Sequence, residues 1–309
     1  MKSAIPSRVT KNFWECAFVI CVASGICLAN EDQAERKDLH QPVFRVAAQP
    51  EIKAESASEA SRPPARKEKK GHELDEAIAI ARETLEYIRE QVKDYTCIMV
   101  KRERINGKLL DHEFMNCKIR HARKDGSQSK PFSVYLNFRK PESVAGREVI
   151  YVEGHNNDKL IAHEGGFKGR FIPTVYLTPT SALAMRNCKY PITEIGIEKL
   201  TAMLIEKGER DRKAGPCKVR ILRGAKVKSR VCTCIEVRHD DRRPEYDFHL
   251  ARIFLDNELK VPIRYEAYDW PTTKGEKPPL LEEYTYMKMK LNVGLTDKDF
   301  SESNPKYNY

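Results

Sequence analysis

The chain has 309 residues, of which 40% are hydrophobic and 32% are charged, and its formal net charge is +10. Only one stretch, near the N-terminus, is apolar enough to approach a membrane span, so the composition excludes a multi-span membrane protein. It also excludes collagen-like and wholly disordered chains. Residues 1–72 carry +3 of the charge and residues 73–309 carry +7. This excess is too diffuse for a nucleic-acid surface, and we expect no nucleic-acid partner.

Residues 1–29 have the layout of a secretory signal. Three basic residues precede an apolar run at residues 17–29, and the sequence turns polar at Asn30. We therefore predict a signal peptide or an N-terminal membrane anchor. The stretch that ends at Cys27 loosely resembles a lipobox, although Ile26 stands where a lipobox has a small residue. The predicted localisation is outside the cytoplasm, either periplasmic or anchored to the membrane with the domain facing outward.

Residues 30–72 are predicted to form a disordered linker. They combine nearly balanced charges with Ser, Ala and Pro, and they contain almost no large apolar residues. Such a segment cannot bury enough surface to offset its chain entropy. The predicted domain then spans residues 73–309. It opens with an amphipathic helix, because apolar residues recur at steps of three and four from Leu74 to Val92.

The rest of the domain is rich in predicted strands. Asn106-Gly107 lies between two strand-like runs and predicts a hairpin. Further strands are predicted at residues 132–138, 147–153, 158–163, 217–223, 230–238, 250–256, 261–268 and 281–290. A second helix is predicted over residues 192–207, ending near Gly208. Consecutive strands without alternating helices are typical of an antiparallel sheet, so the predicted fold class is α+β.

Four sequence blocks resemble an uncharacterised exported family, a domain of unknown function best known from planctomycete bacteria. They are DYTCIMVKRERINGK, VAGREVIYVEGHNNDKLIAHEGGF, YPITEIGIEKLTAMLIEKGERD and LNVGLTDKDF. The resemblance covers roughly residues 73–309. More distantly, it extends to the LolA/LolB lipoprotein-carrier superfamily. It implies a curved antiparallel sheet, a LolA-like half-barrel, packed on a few helices with a concave apolar surface. The family brings no established activity, so it supplies no catalytic residue.

The resemblance implies an exported binding or carrier protein that holds a lipid, a lipoprotein acyl chain or another apolar moiety on the concave sheet. One alternative is a periplasmic protein-interaction or sensing domain, which would bind a protein partner. A hydrolase or thiol enzyme is the third hypothesis. Neither a cofactor nor a metal is expected. Eight residues are predicted to line the sheet or helix interior, where they either contact an apolar ligand or form part of the core: Leu85, Ile88, Tyr95, Met99, Phe114, Leu136, Ile150 and Tyr265.

Six cysteines lie in the predicted domain, and the sequence leaves their disulfide connectivity open: Cys97, Cys117, Cys188, Cys217, Cys232 and Cys234. A two-residue turn at Asn106-Gly107 places Cys97 opposite Asn116, so the side chains of Cys97 and Cys117 are expected to point to opposite faces. A bulge or a slipped register would bring them together. We expect most of these thiols to serve as small apolar packing residues.

Two sets of polar residues offer chemistry only if the fold brings their members together. The first set contains soft zinc ligands, at a spacing that departs from the usual zinc pairs: Cys232, Cys234, His239 and His249. The second set contains an acid, an imidazole and a guanidinium that suit general acid–base catalysis, with two neighbours: Asp247, His249, Arg252, Asp269 and Trp270. Sequence spacing alone does not make either set converge.

Overall fold

The structure is a computed structural model that describes residues 44–45, 71–126, 128–169, 171–273 and 275–309. All of these residues belong to the unit Pro42–Tyr309. The predicted signal segment and most of the predicted linker lie outside the described residues. In the described part of the chain, no helix combines the length and the apolar character that crossing a bilayer requires.

The described helices are α1 (Leu74–Gln91), the single-turn α2 (Gly166–Gly169) and α3 (Ile197–Ala214). The described strands, in chain order, are β1 (Phe44–Arg45), β2 (Asp94–Ile105), β3 (Lys108–Leu109), β4 (Glu113–Arg120), β5 (Arg123–Asp125), β6 (Gln128–Lys130), β7 (Ser133–Lys140), β8 (Glu148–Val152), β9 (Leu160–His163), β10 (Val175–Leu177), β11 (Lys218–Val227), β12 (Arg230–Arg238), β13 (Leu250–Asp256), β14 (Pro262–Tyr268) and β15 (Leu280–Leu291).

One large sheet organises the domain. Its strand order is β1-β11-β12-β13-β14-β15-β2-β4-β7-β8-β9-β10, β3 pairs with β2, and β5 and β6 form a separate pair. All of these pairings are antiparallel. The sheet is not closed, because β1 and β10 lie at its two ends in the described chain. The predicted α+β class with an antiparallel sheet packed on helices is confirmed.

Helices α1 and α3 cover one face of the sheet. Alternate residues of β2 point to this face, and the hydroxyl oxygen of Tyr95 accepts a hydrogen bond from the backbone N–H of Ile197, the first residue of α3, at 3.0 Å. The opposite face is covered along β4, β7, β8 and β9 by the C-terminal segment. There the Tyr307 ring stacks on Tyr135 with ring centres 3.9 Å apart, and Phe300 packs beside them. This part of the sheet is therefore buried on both faces.

The predicted bounds of the second helix are wrong. Helix α3 begins at Ile197, after a separate 3-10 turn at Ile192–Glu194, and it continues beyond Gly208 to Ala214. Gly208 lies inside the helix because it allows a close approach to α1. A Cβ at this position would lie 3.2 Å from Cγ1 of Ile78. Gly215, with φ of 151°, follows the last residue and ends the helix.

The predicted register at the first cysteines is also wrong, since Cys97 lies directly opposite Cys117. The turn has the expected register, with Ile105 opposite Lys108. One extra residue in the irregular stretch 110–112 then shifts the pairing and brings the two cysteines to the same face. All six cysteines of the domain are free thiols, and five of them are buried, as expected of packing residues.

Candidate binding site

A cavity of about 60 Å³ lies between helices α1 and α3 and strands β12, β13 and β14. Most of its lining is apolar. Helix α1 contributes Leu74, Ala77, Ile78 and Ala81, and the central strands contribute Ile235, Val237, Ala251, Ile253 and Leu255. An apolar wall offers few hydrogen-bond partners to water, so the space suits a small apolar group better than it suits water.

The local sequence explains why this space remains open. The lining residues of α1 recur at steps of three and four and therefore share one helix face. On the sheet, Ile235 lies opposite Ile253 across β12 and β13, so both side chains point toward the helices. Small residues at Ala77 and Ala81 leave room that larger side chains would otherwise fill.

Two charged residues of α3 also line the cavity, Lys207 and Asp211. The Nζ of Lys207 lies 3.1 Å from Oδ2 of Asp247, and the Nη2 of Arg210 lies 3.0 Å from the same oxygen. The side chain of Asp211 is only 2% exposed, and its Oδ2 lies 3.5 Å from Nε2 of the fully buried His239. The apolar space thus adjoins a group of charges, an arrangement that suits an amphipathic ligand.

Burial shifts both members of the Asp211–His239 pair. It raises the pKa of Asp211 to about 6, against the attraction of Arg210. It lowers the pKa of His239 to about 4. The Nδ1 of His239 lies 3.1 Å from the carbonyl oxygen of Phe248, which can only accept, so Nδ1 carries the ring proton. Near neutral pH, Asp211 is therefore a buried carboxylate that faces a neutral imidazole.

We expect Asp211→Asn to be more stable than the wild-type chain at pH 8 by up to about 3 kcal/mol and nearly equal to it at pH 4. The folded pKa lies above the ordinary value of 3.8, so folding favours the protonated carboxyl. Its contribution to stability is complete below about pH 4 and is lost as the pH rises through 6. Urea unfolding at pH steps between 4 and 8 measures the difference, and a difference independent of pH would contradict the raised pKa.

A second, polar cluster lies on the helix-covered face, where residues 188–196 contact β2 and β15. Glu103 and Glu282 lie opposite each other on these two strands. The hydroxyl of Tyr284 donates to Glu103 and lies 3.3 Å from Oε2 of Glu282. The Nζ of Lys189 lies 3.1 Å from Glu282, and its backbone N–H donates to Glu103 at 3.2 Å. Residues 188–196 are held to the sheet by these polar contacts.

Lys101 extends the same cluster along β2. Its Nζ lies 3.3 Å from Glu103, 3.1 Å from Glu113 and 3.4 Å from Sγ of Cys188. Burial lowers the pKa of Lys101, but the two carboxylates outweigh burial and hold that pKa above its usual value. Charged and hydroxyl groups therefore occupy the face beneath residues 188–196. This favours the space beside β12–β14, rather than the middle of the sheet, as the place for an apolar ligand.

None of the eight residues predicted to contact a ligand lines the cavity. Five of them are buried on α1 or on strand positions that face the helices: Ile88, Tyr95, Met99, Leu136 and Tyr265. Leu85 is half-buried on α1. Phe114 and Ile150 lie on the opposite sheet face, where Ile150 packs against Phe300. Ligand contact by these eight residues stays a prediction. A sequence signal for the cavity was present in the small residues on the apolar helix faces.

The fold brings only some members of the two polar sets together, such as His249 and Trp270, whose ring centres lie 6.0 Å apart. Arg252 pairs with Glu236 and Glu266 on the face that points away from the helices. Asp247 instead pairs with α3, and His249 lies 2.7 Å, through Nδ1, from the carbonyl oxygen of His239. Within the described ranges, no group of three or more His, Cys, Asp or Glu residues is arranged to hold a metal ion.

Residues 92–309 match a family described as protein of unknown function (DUF1571). The chain belongs to this family. The resemblance to a domain of unknown function, which the sequence blocks predicted, is thereby confirmed for this DUF1571 protein. Two of those blocks meet in the fold, because the carboxylate of Asp94 accepts hydrogen bonds from the N–H groups of Gly294 and Leu295 at 3.1 Å each. No curated protein matches the sequence.

Several solved structures are similar to this DUF1571 protein. A DUF1329 family protein from Desulfovibrio piger is 14% identical with a TM-score of 0.36, over 75% of this chain and 98% of that chain. A putative outer membrane lipoprotein-sorting protein domain from Vibrio parahaemolyticus is 12% identical with a TM-score of 0.35, over 72% and 95%. A LolA superfamily protein from Nitrosomonas europaea is 13% identical with a TM-score of 0.30, over 72% and 96%. The fold class of the DUF1571 domain rests on its own strand order and helices.

Proposed function

We propose that this protein is an exported binding or carrier protein that holds a lipid acyl chain, or a similar apolar moiety, in the cavity between α1, α3 and β12–β14. The observation that carries the proposal is the cavity itself, whose apolar walls lie between two helices and a sheet. Each Å² of apolar ligand surface buried there contributes about 25 cal/mol. Residues 1–29 act as the export signal or anchor in this proposal, and residues 30–72 connect them to the domain.

The charges beside the cavity give the ligand an orientation. Lys207 lines the cavity and, with Arg210, contacts the half-exposed carboxylate of Asp247. An amphipathic ligand with an anionic head group would place that group next to Lys207, where it competes with Asp247 for the two cations. Its apolar chain would then extend between Ala81 and Ile253. Chains longer than the 60 Å³ cavity accommodates require α1 and α3 to separate.

Filling the cavity tests this proposal directly. We expect Ala81→Leu to weaken the binding of cis-parinaric acid, a fluorescent fatty acid, at least tenfold, because the added carbons occupy the ligand's space. Leucine has nearly the helix propensity of alanine, so the helix itself is little affected. Fluorescence titration of the purified chain gives both affinities, and thermal unfolding checks the fold.

Ala79→Leu is the matched control, because Ala79 is exposed on the same helix and does not line the cavity. This variant is expected to bind the probe as the wild-type chain does. Undiminished binding by Ala81→Leu, or equal losses in the two variants, would place the probe elsewhere. A wild-type chain that binds no probe, and that carries no lipid in native mass spectrometry after expression in an exporting host, would refute the proposal.

The alternative function, a periplasmic interaction or sensing domain, has one specific observation in its favour. Strand β10 ends the sheet in the described chain and exposes Tyr176, and the turn that follows exposes Leu183. Edge strands with exposed apolar side chains are surfaces on which a partner chain can add a strand. Tyr176→Glu would weaken the binding of such a partner and leave fatty-acid binding unchanged. The fluorescence titration with the fatty-acid probe therefore separates the two functions.

A further inference from the structure

A short piece of the predicted linker is part of the sheet. Phe44 and Arg45 form β1 and pair with Val227 and Lys226 at the end of β11. On the edge of β11 that faces away from β12, β1 covers only these two residues. The rest of that edge, toward Lys218, has no neighbouring strand in the described chain. A sheet edge is therefore open next to the place where the linker docks.

The Phe44 side chain has a defined site. Its ring meets the Phe254 ring edge-to-face, with ring centres 5.7 Å apart. The guanidinium carbon of Arg264 lies 4.0 Å from the ring centre of Phe44. Arg264 cannot turn away easily, because it is buried and is hydrogen-bonded to Glu266 and to Thr285. A fixed cation and a fixed ring together recognise an aromatic side chain.

The charge of the open edge restricts what can pair with it. Residues 218–230 contain six Lys or Arg residues and no Asp or Glu. Arg223, Lys226 and Lys228 have no ion-pair or hydrogen-bond partner through their side chains within the described residues. Two β11 edges from separate copies would repel each other if they paired. Self-pairing is therefore disfavoured, whereas the Phe44 segment, with Arg45 as the only charged residue between positions 41 and 50, brings far less positive charge to the edge.

We propose that the end of β11, together with Phe254 and Arg264, is a strand-docking site whose occupant is this chain's own Phe44 segment, bound in cis. Docking limits the distance between the N-terminal segment and the domain. The 14 residues at 30–43 span at most about 45 Å when extended, whereas the 43 residues at 30–72 span about 140 Å. If residues 1–29 anchor the protein to a membrane, the occupied site holds the domain close to it, and release of Phe44 lets the domain move away.

A peptide in trans tests the site on the full chain. The labelled peptide HQPVFRVAAQP, which reproduces residues 40–50, is titrated against the wild-type chain and against Phe44→Ala, with fluorescence anisotropy as the readout. A tethered segment competes at an effective concentration near the millimolar range. We therefore expect the peptide to bind Phe44→Ala at least tenfold more tightly than it binds the wild-type chain. The same peptide with Ala in place of its Phe is expected not to bind.

Hydrogen exchange gives a second readout. The backbone amides near Val227 are expected to exchange faster in Phe44→Ala and to regain protection when the peptide is added. Phe171→Ala is the control, because this 78% exposed Phe precedes β10, at the other end of the sheet order. Equal peptide affinity for both chains, or unchanged exchange near Val227, would overturn the proposal. A wild-type dimer that Phe44→Ala dissociates would place the segment on a second copy and would overturn binding in cis.

Discussion

Arg264→Ala is expected to lower the free energy of unfolding by about 3–5 kcal/mol, because it removes the buried cation that two carboxylates share. The Arg264 side chain is 1% exposed, and it forms ion pairs with the fully buried Glu266 and with Glu283. It also donates to the hydroxyl of Thr285 at 2.6 Å. Chemical unfolding at pH 7, monitored by circular dichroism, measures the loss.

Arg220→Ala is the matched control for this experiment. Arg220, Glu236, Arg252 and Glu266 form one row of charges across β11 to β14. Arg220 lies at the solvent end of the row, where its side chain is 50% exposed. Exposed ion pairs contribute about 0–1 kcal/mol, so we expect a loss of that size. Similar losses at Arg220 and Arg264 would show that burial does not determine the cost of removing an arginine from these ion pairs.

The second large effect is expected at Lys101. Lys101→Met keeps the length of the side chain but removes its charge, and we expect a loss of about 3–5 kcal/mol. The side chain is 11% exposed between Glu103 and Glu113, which then become uncompensated acids. Residues 188–196 lose one of their contacts with the sheet, so faster amide exchange in this segment is expected along with the lower stability.

Two further variants sharpen the Lys101 experiment. The double variant Lys101→Met/Glu113→Gln is expected to recover part of the loss, because one of the two carboxylates is neutralised. Lys108→Met changes an exposed lysine on β3 and is expected to alter stability by less than about 0.5 kcal/mol. A loss below about 1 kcal/mol for Lys101→Met alone would contradict the role assigned to this ion cluster.

The helices and longer strands are predictable where periodic burial is strong. The first helix was expected at residues 74–92 and spans Leu74–Gln91, and the strand expected at residues 230–238 spans Arg230–Arg238. The three-residue strands such as Val175–Leu177 were missed, because so short a run shows no alternation. The cysteine register failed for a different reason. A tight turn determines which residues lie opposite each other next to it. It does not reveal an extra residue several positions farther along the strand.

The candidate site was less predictable, and the residues show why. Alternation along a strand tells which side chains share a face, but it does not tell which face the helices cover. Phe114 and Ile150 are buried like Met99 although they lie on the other face, where Phe300 packs on Ile150 and where the His112 ring and Lys140 lie beside Phe114. The cavity, in contrast, depends on missing side-chain volume at Ala77 and Ala81. The position of such a cavity is determined only when the two helices pack on the sheet.

The contact at Gly208 also has a mechanical consequence. Because a Cβ there would lie 3.2 Å from Ile78, the backbone of α3 approaches α1 directly at this point, beside the cavity. The charged contacts between these helices, such as Arg82–Glu209 and Arg212–Asp75, are exposed and cost little to break. Close packing at Gly208, and not these surface charges, therefore sets the distance between the two helices beside the cavity. Any larger residue at this position would have to change that distance.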